Sequence, residues 1–211
     1  MTPPDAGADG ATAEFWRGVR ARHPRLRDAL VADARLTALL RAERHEFRGP
    51  VDTALQIVRL AWSSDAFLAQ ALYRVKARLQ GRRVPLLPRL AHRLAMIVAQ
   101  VSIGDPVVVQ PGVYLIHGQV VIDGLVEIDA GTVIAPWVTI GLRAGDVHGA
   151  KIERDVSIGT GAKIIGGVRI GAGATIGANA VVVDDVPAGA TVVGAPARPV
   201  GAGAPSGPGQ R

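Results

Sequence analysis

From Ile152 onward an aliphatic residue returns at every sixth position: Ile152, Ile158, Ile164, Ile170, Ile176 and Val182. A second, smaller apolar residue follows four places later, at Val156, Ala162, Val168, Ala174, Ala180 and Val186. Ile122, Ile128, Ile134 and Ile140 keep the same lattice upstream, and Ile103, Val109 and Leu115 keep it one residue out of phase, which implies a slip near Gly118. A helix shows a period of 3.6 and a simple strand one of 2, so a sustained six requires another unit. Each hexad supplies one short strand and a corner, with the aliphatic side chain inward and Gly or Asn relieving the bends. Three hexads close a triangular coil, and stacked coils form a parallel β-helix. A narrow interior of this kind excludes rings, which matches an aromatic content of 4%.

The chain divides near residue 100. Residues 1–100 carry 17 Lys/Arg against 9 Asp/Glu and only 5 Gly; the remainder carries 7 against 9 and 21 Gly. The basic half has no interleaved aromatics and no known motif, which argues against nucleic-acid binding. Its apolar spacing is helical from about Glu14 to Ala99: Leu68, Leu72, Val75 and Leu79 form one stripe, and Leu86, Leu90, Leu94 and Ile97 another. We expect both stripes to pack in the core and Leu36, Leu39 and Leu40 to belong to an earlier helix. Asp65 is placed as an N-cap, Gly81 at a helix stop, and Pro85 and Pro88 at the start of the last helix. His23, His45 and His92 read as surface or packing histidines. The expected organisation is a disordered tail over 1–12, an α-helical domain over 13–100, a β-helix over 101–200 and a flexible tail over 201–211, an α+β chain. The absence of Cys removes disulfides and thiolate chemistry. No apolar run suits a membrane span and no secretory signal opens the chain, so the expected location is cytoplasmic, without membrane or nucleic-acid partners.

The stretches ALYRVKARLQGRR, LIHGQVVIDG, VTIGLRAGDVHGAKI, IGTGAKIIGGVRIGAGATIGANAVVV and VVGAPARPV resemble the serine O-acetyltransferase family of hexapeptide-repeat acyltransferases. That resemblance implies a left-handed coil, a homotrimer or a dimer of such trimers, acetyl-CoA as co-substrate without a metal, and a role in cysteine biosynthesis. It also assigns roles. His117, at the slip, matches the family's general base, and His148 matches a histidine that helps to bind the acceptor. Gly141, Thr160 and Ala178 would line the pantetheine, with Lys163, Arg169 and Arg198 near its phosphates. An imidazole suits the proton transfer that an alcohol needs in order to attack a thioester.

Some positions depart from the family pattern. An Asp that precedes the catalytic His is replaced by Ile116, and one in the coil before by Ser102; Asp105, three residues on, is the candidate to orient His117, while a further family carboxylate in the helices has no clear counterpart, although Asp52 and Asp65 lie in the region. The family's docking peptide for cysteine synthase ends in Ile, whereas this chain ends Gln210-Arg211, so no such docking is expected. Trp137 reads as an interface or pocket-wall residue. The alternatives are O-acetylation of a sugar or secondary-metabolite hydroxyl, and a non-catalytic trimeric scaffold. A zinc hydratase on the same prism would need three histidines, and only His117 and His148 lie in the repeats.

Overall fold

The computed structural model describes residues 6–82 and 84–200, without side chains for 6–11. Among the described residues five helices precede the strands: α1 (Ala6–Arg22), α2 (Leu26–Leu40), α3 (Gly49–Ser63), α4 (Asp65–Gly81) and α5 (Leu87–Ala99). Residues 6–12, read as tail, thus form the first turns of α1; the tail at 201–211, and with it the question of a docking terminus, lies outside the described residues. Ser64 rather than Asp65 caps α4, its Oγ accepting from the Phe67 N–H at 3.3 Å. No described helix is long and apolar enough to cross a membrane.

The strands wind into about five coils. The first holds β1 (Val101–Ile103), β2 (Val108–Val109) and β3 (Tyr114–Leu115); the second β4 (Val120–Ile122), β5 (Leu125–Ile128) and β6 (Val133–Ile134). The third holds β7 (Thr139–Gly141), β8 (His148–Ile152) and β9 (Ser157–Ile158); the fourth β10 (Lys163–Ile165), β11 (Arg169–Ile170) and β12 (Thr175–Ile176). The fifth has β13 (Val181–Val182), a bridge at Val186, and β14 (Thr191–Val193), against which β15 (Arg198–Val200) turns back antiparallel. Parallel pairing stacks them into three faces: A (β1-β4-β7-β10-β13), B (β2-β5-β8-β11) and C (β3-β6-β9-β12-β14-β15). The sixth-position residues Ile122 to Ile176 point into the prism and are buried, as their period requires.

The first coil leaves a row of backbone groups that no further coil pairs, and α4 covers it. The Tyr73 hydroxyl donates to the Val107 carbonyl at 2.7 Å, Gln70 Nε2 to Val113 at 2.9 Å, Lys76 Nζ to Ile103 at 2.5 Å, and Arg74 to the carbonyls of Val109 and Gln110. Asp33 of α2 holds Arg74 at 2.9 Å and accepts from the Gly112 N–H, also at 2.9 Å. Buried backbone groups are costly when unpaired, so these side chains serve the fold by closing the end of the column. Of the two expected leucine stripes, that of α4 is half-buried, with Leu72 against the prism core, and that of the last helix lies outside the core. α5 buries its alanine face (Ala91, Ala95, Ala99) and leaves Leu86, Leu90, Leu94 and Ile97 exposed; α3 leaves Val51, Leu55, Val58 and Trp62 exposed. At the end of α5 the approach is close, with the Ala99 backbone against Gly118.

Candidate active site

His117 stands on the corner between faces C and A. Val101 pairs with Val120, whereas Val121 pairs with Thr139, so the first coil is longer than the second by a single position. The extra residue falls at 116–119, where the expected slip lies. Gly118 is buried against the end of α5: a Cβ there would lie 1.8 Å from the Ala99 carbonyl oxygen, which already accepts from the Gln119 N–H at 2.8 Å. The corner therefore has no room on its inner side, and the His117 ring is exposed, with no hydrogen-bond partner among the described residues.

The same corner continues up the column through Trp137, Thr160 and Ala178, all exposed. Gln119, Trp137, Gly161 and Asn179 take left-handed backbone, with φ of +58°, +66°, +75° and +56°. For a bulky residue that conformation is unfavourable, yet it carries Trp137 out to 59% exposure on the coil beside His117. Lys163 Nζ donates to the carbonyls of Trp137 and Gly161, both at 2.8 Å, so its ammonium sits on this corner.

His148 stands elsewhere, on the corner between faces A and B. Thr139 pairs with Lys163, which in turn pairs with Val181, so the third coil is longer than the fourth by one whole hexad, and 142–147 leave the prism as a loop. Asp146 in that loop accepts from the His148 backbone N–H at 2.8 Å and from its ring Nδ1 at 2.7 Å. The backbone bond, and then the ring, hold the Asp146 carboxyl below the usual carboxylate range. With its Nδ1 proton given to Asp146, the ring presents Nε2 outward. Gly141 ends β7 beside the same loop.

The remaining candidates separate. Asp105 lies on the A/B corner of the first coil, one face away from His117, and its carboxylate pairs with Lys76 Nζ at 2.9 Å. Burial pushes that carboxyl up, but hydrogen bonds from Lys76 and Gln80 outweigh it and hold it low. It does not orient His117 within the subunit, because the turn at Pro106 aims it at α4. Arg169 sits on face B, bonded to Glu153 at 2.7 Å and away from the His117 corner, whereas Arg198 on β15 pairs with Val193 at the end of face C and lies beside Asp184 at 3.3 Å. A cavity of about 720 Å³ opens between α5 and face A, lined by Lys76, His92, Ser102, Asp105, Val121 and Asp123 among others, but by neither site histidine. Among the described residues no three potential metal ligands gather. Asp146 was missed from sequence, although its Asp-x-His spacing, two residues before His148, could have found it.

A family model described as a bacterial transferase hexapeptide of six repeats matches residues 149–184. No curated protein sequence matches the chain. Among solved structures, a soybean serine acetyltransferase complexed with serine is 30% identical, with a TM-score of 0.70, and the match covers 89% of this chain and 74% of that one. A serine acetyltransferase in complex with CoA is 26% identical over the same shares, with a TM-score of 0.68. The Vibrio cholerae serine acetyltransferase is 28% identical, covering 92% of this chain and 72% of its own, with a TM-score of 0.70.

Proposed function

The chain belongs to the serine acetyltransferase family of CoA-dependent acyltransferases, and on that premise we propose that it acetylates the serine hydroxyl from acetyl-CoA at a site shared between two subunits of a homotrimer. One observation carries the reading: the candidate residues fall on two corners of the prism. His117, Thr160, Lys163 and Ala178 lie on the C/A corner, while His148 and Gly141 lie on the A/B corner. A single column cannot bring opposite edges of face A together. Threefold packing of identical columns sets the C/A corner of one against the A/B corner of the next, which closes a groove between them. The exposed aliphatic faces of α3 and α5 support assembly, since a contiguous apolar surface of that kind marks an interface.

In that groove the His117 imidazole takes the serine hydroxyl proton while the oxygen attacks the thioester carbonyl. A C–O bond forms, the tetrahedral adduct collapses, the C–S bond breaks, and the departing thiolate takes the proton back from the imidazolium. His148, held by Asp146, binds the acceptor. The A/B corner supplies carboxylates that Ile116 and Ser102 do not: Asp123 and Asp146 occupy it on successive coils, suited to the serine ammonium.

Among the described residues of one subunit no carboxylate flanks His117, and this favours as second reading a neutral hydroxyl acceptor such as a sugar. Thiol release from acetyl-CoA, measured with serine and with a panel of sugars and other alcohols, separates the two. Release with serine that disappears in His117→Ala, at unchanged assembly mass and melting, supports the proposal. Release only with uncharged alcohols replaces the acceptor, and full turnover by His117→Ala replaces the base.

A further inference from the structure

We propose that the cleft between α1 and α4 is a binding site for a polyphosphate-type anion, separate from the acetyl-transfer groove. The cleft has a volume of about 360 Å³ and its lining includes Arg17, Arg20, His23, Arg74 and Arg78, with no carboxylate in its wall. Arg17 and Arg20 are three residues apart and so share one face of α1, opposite Arg78 on α4. Arg74 is engaged by Asp33 and two carbonyls, but the other three guanidinium groups have no ion-pair partner among the described residues. Guanidinium groups converging from two helices match the bidentate geometry of phosphate oxygens. The room exceeds that needed by a single phosphate, which selects a chain of two or three.

A second observation, at His23, points the same way. This half-buried ring also borders a smaller cavity shared with Asp105 and Gln80. Burial, and then the charges of Arg74, Lys76 and Arg22, push its pKa down to about 4, so it is neutral at physiological pH. The groups around it are Arg20 and Arg22 from α1, Tyr73, Arg74 and Lys76 from α4, and Asp105 from the first coil, with Arg22 paired to Glu127 of β5, Arg74 to Asp33 of α2 and Lys76 to Asp105. An anion seated among the arginines offsets the cationic field at this ring, so the His23 pKa rises when the anion is bound.

Tripolyphosphate, titrated into the full-length protein at constant ionic strength with the His23 ring followed by NMR, tests this. Saturable binding is expected, weakened about tenfold for each of Arg20→Gln and Arg78→Gln, with the His23 ring titrating higher in the bound protein than in the free one. Both substitutions fall on side chains outside the catalytic groove, so thiol release should persist and serves as the folding control. Saturating CoA should leave the His23 shift in place. Loss of binding at matched ionic strength, equal affinity in the double variant, or displacement by CoA would each overturn the proposal. None of these results bears on serine acetylation, which is read separately by thiol release.

Discussion

Trp137 pays for its position in backbone strain. A left-handed residue with a Cβ costs roughly 1–2 kcal/mol, whereas Gly161 holds the same conformation on the next coil without that penalty. Trp137→Gly should therefore raise the melting temperature by a few degrees, about 1 kcal/mol, while raising KM for acetyl-CoA or serine. A variant that melts higher and binds as before would deny the ring any role at the groove. Gly118 behaves oppositely. Gly118→Ala drives a methyl group into the Ala99 backbone and should cost about 1–3 kcal/mol, with loss of activity because His117 moves with the corner. His23 sets a pH window. Its folded pKa of about 4 lies below the ordinary 6.5, so the neutral ring contributes stability above about pH 6.5 that fades as pH falls towards 4. Chemical denaturation across that range should show the loss, and His23→Gln should flatten it; an equally steep profile in the variant would assign the loss to other groups.

At the scale of elements, the inserted loop is separable from the column. Deleting 142–147 returns the third coil to the length of the fourth, so circular dichroism and melting should stay near the parent while serine turnover disappears with the Asp146–His148 pair. Full turnover would remove the loop and Asp146 from the site. The slip at 116–119 was legible because a one-residue insertion shifts the phase of a period of six; the loop at 142–147 is a whole hexad, leaves the phase unchanged, and shows only as Asp146 standing where the lattice calls for an aliphatic residue. The column itself was legible for the same reason: Ile122 to Ile176 each face inward, and a strand repeat tolerates no other placement. The helices were less so. Leu86, Leu90, Leu94 and Ile97 have core spacing, yet α5 approaches the prism on Ala91, Ala95 and Ala99, and periodicity cannot say which of two apolar stripes is the close one. Gln70, Arg74 and Lys76 look like solvent-facing residues in sequence, but the carbonyls that bury them lie far along the chain in the first coil. The pairing of Asp105 was hidden in the same way, since its partner Lys76 lies far back along the chain on α4.

At the scale of the whole molecule, face A separates the two histidines within one subunit, and the proposed function requires a second copy to bring them together. The exposed stripe of α5 should contribute to that assembly: Leu90→Ser with Ile97→Ser should lower the mass measured by light scattering at unchanged helicity, and an unaltered mass would place the contacts elsewhere. Subunit mixing examines the shared site itself. His117→Ala and His148→Ala proteins, each inactive alone, are dissociated together and reassembled in equal amounts, and thiol release with serine is measured. If each groove takes His117 from one subunit and His148 from its neighbour, about a quarter of the grooves regain both and about a quarter of parental activity returns. If mixed assemblies form and none of the activity returns, both histidines serve one subunit and the division of labour between corners is wrong.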